Sequence, residues 1–223
     1  SSRVPFFNEK AVCELGKNLD KSKKLHRSGT EYALKVLKRF SEILNVSKIT
    51  NLKIIATAVL REATDTKPFI DEVEKLFKTK INILSGDEEA ECSAEGVKIG
   101  FENVDGLVAD LGGGSLELAR VENNIVTNKT SLPFGVLRLL NNPIVKKRNL
   151  AKYIKKLLRE EKWLSKKKFN NLYLVGGTWR ALFKLHLFQN NHPVHIIHQY
   201  SIDNNVLSKF VEKISSFNKS KLK

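Results

Sequence analysis

Three consecutive glycines, Gly112, Gly113 and Gly114, stand between Asp110 and Leu111 on one side and Ser115 and Leu116 on the other. A run without side chains neither extends a helix nor packs as a strand, so the chain must turn there. The apolar residues 106–109 before it read as a buried strand, and residues 116–121 after it as a second strand of alternating polarity. Such a turn exposes consecutive backbone N–H groups, Ser115 adds a hydroxyl donor, and an anion can approach closely. A phosphate is the expected guest. Asp110 and Glu117 flank the loop with carboxylates, which repel a bare phosphate but suit a Mg²⁺ ion bridging to phosphate oxygens. A dinucleotide fingerprint would open a helix after its glycines and a P-loop would bring a lysine, and neither is found here. A Gly-rich hairpin without a ligand would carry the same residues. Other segments must decide.

Composition narrows the classes. With 223 residues and 25.3 kDa the chain can bury the core of one large or two small domains. Hydrophobic residues at 41% exclude a disordered tail, and no apolar run approaches the ~20 residues of a membrane span. A soluble protein without a membrane partner is expected. Residues 1–7 carry neither the apolar core and cleavage site of a secretory signal nor an initiator Met, and the chain contains no Met, as an internal piece of a longer protein would. Cys13 and Cys92 have neither metal-ligand nor disulfide spacing, which makes a reducing cytoplasm the simplest home. The net charge of +15 is uneven: residues 141–223 hold 18 Lys and Arg against 4 Asp and Glu. That field favours a polyanion, whether nucleic acid, an acidic membrane surface or polyphosphate. A solvated Lys-rich face has the same composition.

Along the chain, residues 29–44 repeat apolar positions at helical spacing, and Ser28 with Glu31 suggests a capping box. Residues 52–58 form a short β-branched run, Pro68 opens a second amphipathic helix through Phe77, and residues 81–84 read as another buried strand. Strand, helix, strand in that order argues for an α/β layer with crossover connections. Ser85 to Ala90 then start a helix running to Lys98. Acidic residues in a first turn commonly complement the helix dipole, which accounts for Asp87, Glu88 and Glu89. The carboxyl ends of such strands also bind ligands, and a glutamate there could orient or deprotonate a water attacking a phosphate. Residues 131–136 turn into a short helix containing Arg138, and residues 150–164 read as an amphipathic helix with Lys152, Lys155, Lys156 and Arg159 on its wet side, followed by Lys166, Lys167 and Lys168. A strand over 171–175 leads through Gly176 and Gly177 into a helix over 179–187, a second anion site or simply a tight turn. His192, His195 and His198 are evenly spaced and residues 193–197 read as a strand, where spacing of three points neighbours to opposite faces, so they are read as structural.

Five segments in this order resemble the exopolyphosphatase and guanosine pentaphosphate phosphohydrolase family, within the actin, Hsp70 and sugar-kinase-like ATPase superfamily. They are residues 56–63, 85–90, 110–117, 131–135 and 175–178. The resemblance covers nearly the whole chain. It implies an α/β protein of two RNase H-like (actin-like ATPase) domains with the active site in the cleft between them, joined near residues 85–105. Domain I would occupy residues 1–95 and domain II, with the glycine phosphate loop and the basic C-terminal part, residues 96–223. By the same resemblance Glu89 matches the catalytic glutamate that readies water, with Glu88 beside it as the alternative. Asp110 and Glu117 match the acidic residues near the divalent metal, Gly112, Gly113, Gly114 and Ser115 the second phosphate loop, and Arg61 a residue that meets a substrate phosphate. Gly176 and Gly177 sit where nucleotide-binding relatives hold adenosine.

One departure stands out. Family members open on a strand and a first phosphate loop of the pattern Asp, x, Gly, Ser, Asn, Ser, which nothing before Phe6 supplies, so domain I is expected to lack its opening strands. The segment by itself is therefore expected to be weakly active or inactive. The function implied is Mg²⁺-dependent hydrolysis of terminal phosphoanhydrides on inorganic polyphosphate or guanosine pentaphosphate. The basic C-terminal third tilts the choice toward polyphosphate. An ATPase or kinase of the superfamily, or a non-catalytic nucleotide- or polyanion-binding module, is the alternative. Nucleic acid is the disfavoured partner, and a homodimer is among the expected states.

Overall fold

In the computed structural model, residues 7–141, 150–165 and 168–216 are described. After a short helix α1 (Leu19–Ser22), helix α2 (Arg27–Val46) turns Ala33 and Val36 inward. Strand β1 (Ile54–Ala56), helix α3 (Ala58–Glu62), helix α4 (Lys67–Phe77) and strand β2 (Ile81–Ile83) follow, and β1 and β2 pair in parallel. Proline near the start of α4 suits a first turn whose N–H groups have no helical acceptor. Leu60, Phe69, Val73 and Ala33 form one core, which Ile54, Ala56 and Ile81 cover from the strands. The strand expected over 52–58 is shorter at both ends, because Thr57 caps α3 and Ala58 already lies in the helix.

Helix α5 (Gly86–Gly100) leads to the larger sheet, built from β3 (Gly106–Leu111), β4 (Leu116–Glu122), β5 (Ile125–Leu132) and β6 (Leu172–Val175) in the order β5-β4-β3-β6. β3 runs antiparallel to β4 and parallel to β6. On one face, Val108, Ala119 and Val121 pack against Ala90 and Ala94 of α5. On the other, Ala109, Leu116, Leu118 and Leu132 pack against Tyr153, Ile154, Leu157 and Leu158 of helix α7 (Leu150–Glu160), which follows the short helix α6 (Val136–Asn141). The result is a three-layer α/β/α arrangement. Alternating polarity in β4 therefore marks no wet face: residues 116–121 are all buried. Glu117 and Arg120 go in with them, Arg120 pairing with Glu122 and lying over the ring of Phe169.

The structure departs from the sequence reading in five further places. Strand β5 was not foreseen; it returns from β4 through Asn123 and Asn124 at φ 50° and 63°, the left-handed pair that closes a two-residue hairpin. The predicted helix over 150–164 breaks at Glu161, with helix α8 (Lys162–Ser165) beyond it. Helix α9 (Gly177–Gln189) starts two residues earlier than the predicted 179. No strand forms over 193–197, where the Val194 N–H donates instead to His192 Nδ1 at 3.1 Å, a local bond that competes with sheet pairing. The box expected at Ser28 and Glu31 is absent, since His26 caps α2 and Glu31 pairs with Arg27. Helix α10 (Asn204–Ser215) closes the described chain, its Phe210 stacked edge-on to the buried His186 of α9. Lys166, Lys167 and the last seven residues of the basic third lie outside the described residues.

Candidate active site

Asp110 and Glu117 are cross-strand partners of β3 and β4, so alternation places both carboxylates on the face covered by α5. The hydroxyl of Ser93 on α5 donates to Asp110 Oδ2 at 2.7 Å, and that of Ser131 on β5 donates to Glu117 Oε1 at 2.9 Å. Glu117 is buried, with 5% of its surface exposed. Burial pushes its carboxyl above the ordinary 4.5; the hydroxyls of Ser115 and Ser131 oppose this, and the charges of Glu89 and Asp110 add to it. Three carboxylates thus feel one another across the α5–sheet interface.

The adjacent glutamates of α5 separate cleanly. Ser85 and Glu88 form a reciprocal capping box: Glu88 N–H donates to Ser85 Oγ at 3.2 Å, and Ser85 N–H donates to Glu88 Oε2 at 2.7 Å. The Ser85 backbone N–H and then its hydroxyl hold Glu88 below its ordinary range. Glu88 is thus committed to the helix terminus. Glu89 turns inward and pairs with Arg61 Nη1, the side chains being 14% and 28% exposed. Arg61 also donates to the Leu84 carbonyl at the end of β2. Glu89 and Ser93 lie one turn apart on the same helix face.

The glycine loop joins this cluster from the other side. The N–H of Gly112 donates to the Ser115 carbonyl at 3.0 Å, closing the turn, while the Val136 and Leu137 N–H groups of α6 donate to the carbonyls of Gly112 and Gly113 at 3.1 and 2.9 Å. With those carbonyls engaged, the N–H groups of Gly113, Gly114 and Ser115 donate to no backbone acceptor among the described residues. They are free to meet an anion. A Cβ on Gly114 would lie 3.4 Å from the Cβ of Ala58, so the loop reaches the start of α3, the helix that carries Arg61.

Gly176 follows β6, whose Val175 pairs with Asp110. Its φ of +107° suits glycine, and a Cβ there would lie 2.8 Å from Asp110 Oδ1. Gly177 faces open space. The structure therefore brings together Arg61, Glu89, Asp110, Glu117, residues 112–115 and Gly176, and leaves Glu88 apart. Sequence reasoning missed Ser93 and Ser131. Spacing of four from Glu89 marks the first; the second needed the register of β5.

The chain matches the profile of the Ppx/GppA phosphatase family over residues 4–223. It is 30% identical over 230 residues to a bifunctional 3-dehydroquinate synthase/phosphatase of Fusobacterium nucleatum, covering 94% of this chain and 34% of that protein. It is 35% identical over 134 residues to a guanosine-5'-triphosphate,3'-diphosphate pyrophosphatase of Aeromonas hydrophila, covering 60% of this chain and 27% of that protein. The chain thus spans about a third or less of the length of these curated relatives. Among solved structures, an exopolyphosphatase from Cytophaga hutchinsonii superposes with a TM-score of 0.82 at 21% identity, over 96% of this chain and 73% of that one. The Aquifex aeolicus Ppx/GppA family member gives 0.75 at 21% identity, over 95% and 70%. These superpositions agree with the α/β fold expected from the five motifs.

Proposed function

The chain belongs to the Ppx/GppA phosphatase family, and we propose that it hydrolyses the terminal phosphoanhydride of inorganic polyphosphate, with guanosine pentaphosphate as a second substrate for the same chemistry. The observation that carries this reading is the cross-strand pair Asp110 and Glu117, with the Arg61–Glu89 pair, beside a loop whose residues 113–115 donate their N–H groups to no backbone acceptor among the described residues. In the proposal, the amides of residues 113–115 hold the terminal phosphate, beside the Ser115 hydroxyl that bonds Glu117 in the free protein. Glu89 orients a water and takes its proton as the water oxygen bonds to phosphorus and the bridging oxygen leaves. Arg61, paired with Glu89 in the free protein, is within reach of the charge that grows on the transferring oxygens.

The donor set suits a divalent cation. Two carboxylates on neighbouring strands, one pushed upward by burial, leave negative charge that a cation would settle. Among the described residues no three His, Cys, Asp or Glu side chains converge closely enough to hold an ion alone. Mg²⁺ commonly takes one or two carboxylates and completes its shell with phosphate oxygens and water. Asp110 and Glu117 would hold it, and when bound it would neutralise charge on the phosphoryl group.

Polyphosphate is placed ahead of the nucleotide because Lys152, Lys155, Lys156 and Arg159 are exposed along α7, charge that a long polyanion can use and a short one cannot. No helix among the described residues is long and apolar enough to cross a membrane. The test is orthophosphate release by the purified chain from polyphosphate, guanosine pentaphosphate and ATP, with Mg²⁺ and with EDTA. Slow, Mg²⁺-dependent release from polyphosphate is expected, less from the nucleotide and none from ATP. Preferential turnover of ATP would place the chain with the ATPases, and tight polyphosphate binding without release would make it a binding module.

A further inference from the structure

Helix α3 has five residues, too few to hold its own orientation, yet it carries Arg61 into the site. Successive side chains leave a helix about 100° apart. Arg61 goes to Glu89 on α5, and Glu62 goes to Arg138 on α6, 76 residues away in sequence. Arg138 Nε also lies 3.8 Å from Asp20 Oδ1 of α1, so one guanidinium faces two carboxylates. The Glu62 and Arg138 side chains are 30% and 22% exposed, whereas those of the Lys67–Asp71 pair on α4 are 85% and 56% exposed.

Arg138 belongs to the helix that is bonded to the glycine loop. α6 is hydrogen-bonded to it: Val136 and Leu137 donate to Gly112 and Gly113, a Cβ on Gly113 would lie 3.2 Å from Leu137 Cδ1, and Gly135 lies so close to the backbone of Gly113 and Gly114 that a Cβ would collide. Loop and helix therefore shift together. We propose that the Glu62–Arg138 pair is a positioning clasp, touching no substrate, that fixes the separation between Arg61 with its partner Glu89 and the glycine loop. The inference rests on the reading of that loop as the phosphate cradle. Its logic is geometric: a displacement of about 1 Å between phosphate holder and water-activating group can cost on the order of 100-fold in rate.

The experiment is a double-substitution cycle in this chain with Glu62→Gln, Arg138→Leu and the two combined. It measures kcat and KM on polyphosphate well below the melting temperature, and the amide NMR resonances of Gly113 and Gly114. Each single change should lower kcat by about 10- to 100-fold, the combination should do no more than either alone, and Arg138→Lys should recover most of the rate. The two glycine resonances should move in all three variants, although neither substituted side chain touches them. Multiplicative losses, or stationary glycine resonances, overturn the clasp. If the unsubstituted chain hydrolyses nothing, the catalytic reading fails, and the resonances alone judge whether Glu62 and Arg138 place the loop.

Discussion

The two faces of the four-stranded sheet are made of alternate residues of the same strands, yet they do different work. The α7 face is apolar where it packs: Ala109, Leu116, Leu118 and Leu132 meet large side chains such as Tyr153, Leu157 and Leu158. The α5 face is apolar only in its middle, where small Ala90 and Ala94 let the helix lie close, and toward the glycine loop it changes to Asp110 and Glu117. Close approach is what lets Ser93 reach a sheet carboxylate, and Glu89 belongs to the same helix face. One face holds the sheet together, and the other uses that rigidity to keep like charges near one another.

This contrast can be broken from either side. Leu118→Ala, on the packing face, should lower stability by about 2–5 kcal/mol in urea unfolding while leaving turnover at low temperature intact; a lost activity without lost stability would undo the division. Gly176→Ala, at the end of β6, should do the reverse. It places a Cβ 2.8 Å from Asp110 Oδ1 at a φ of +107°, so phosphate release should fall by roughly 100-fold with a strain cost of about 1–3 kcal/mol. Ser85→Ala should remove only the α5 cap, about 1 kcal/mol by thermal melting.

The smallest effects have opposite signs. Glu117 is raised in the folded protein, so its ionisation costs stability as pH rises above 4.5, and Glu117→Gln should melt higher than the parent at pH 7. Glu88 is lowered, so its charged form contributes stability above 4.5, and Glu88→Gln should melt lower at pH 7. Both differences should shrink toward zero near pH 3. Added Mg²⁺ should narrow the Glu117 difference by stabilising the parent more than the variant. Two shifts of the same sign would mean that these carboxylates do not belong to different environments.

Much of this was legible in the sequence because it is local. The turn at residues 112–114, the strands around it and the amphipathic α4 and α7 follow from side-chain absence and periodicity. What was hidden depends on pairing across the chain. Ser131 matters through its register with Glu117, and Glu62 through Arg138, and no local pattern encodes either. The capping box was expected at Ser28 and formed at Ser85, because both segments satisfy the same spacing and only the chain entering the helix decides. Residues 193–197 read as a strand but pair with no strand among the described residues. The Asn123–Asn124 turn, like Ser93, had a local signal: two residues that tolerate positive φ between apolar runs.

The most direct test of the account is orthophosphate release from polyphosphate by Glu89→Gln, measured beside its equilibrium affinity for the same polymer in Mg²⁺. Glu89 engages Arg61 and faces the sheet carboxylates, so the substitution removes a proton acceptor and frees a cation. The rate should fall by about 10²–10⁴-fold with affinity kept or tightened. An unchanged rate, with polymer still bound, would contradict the account.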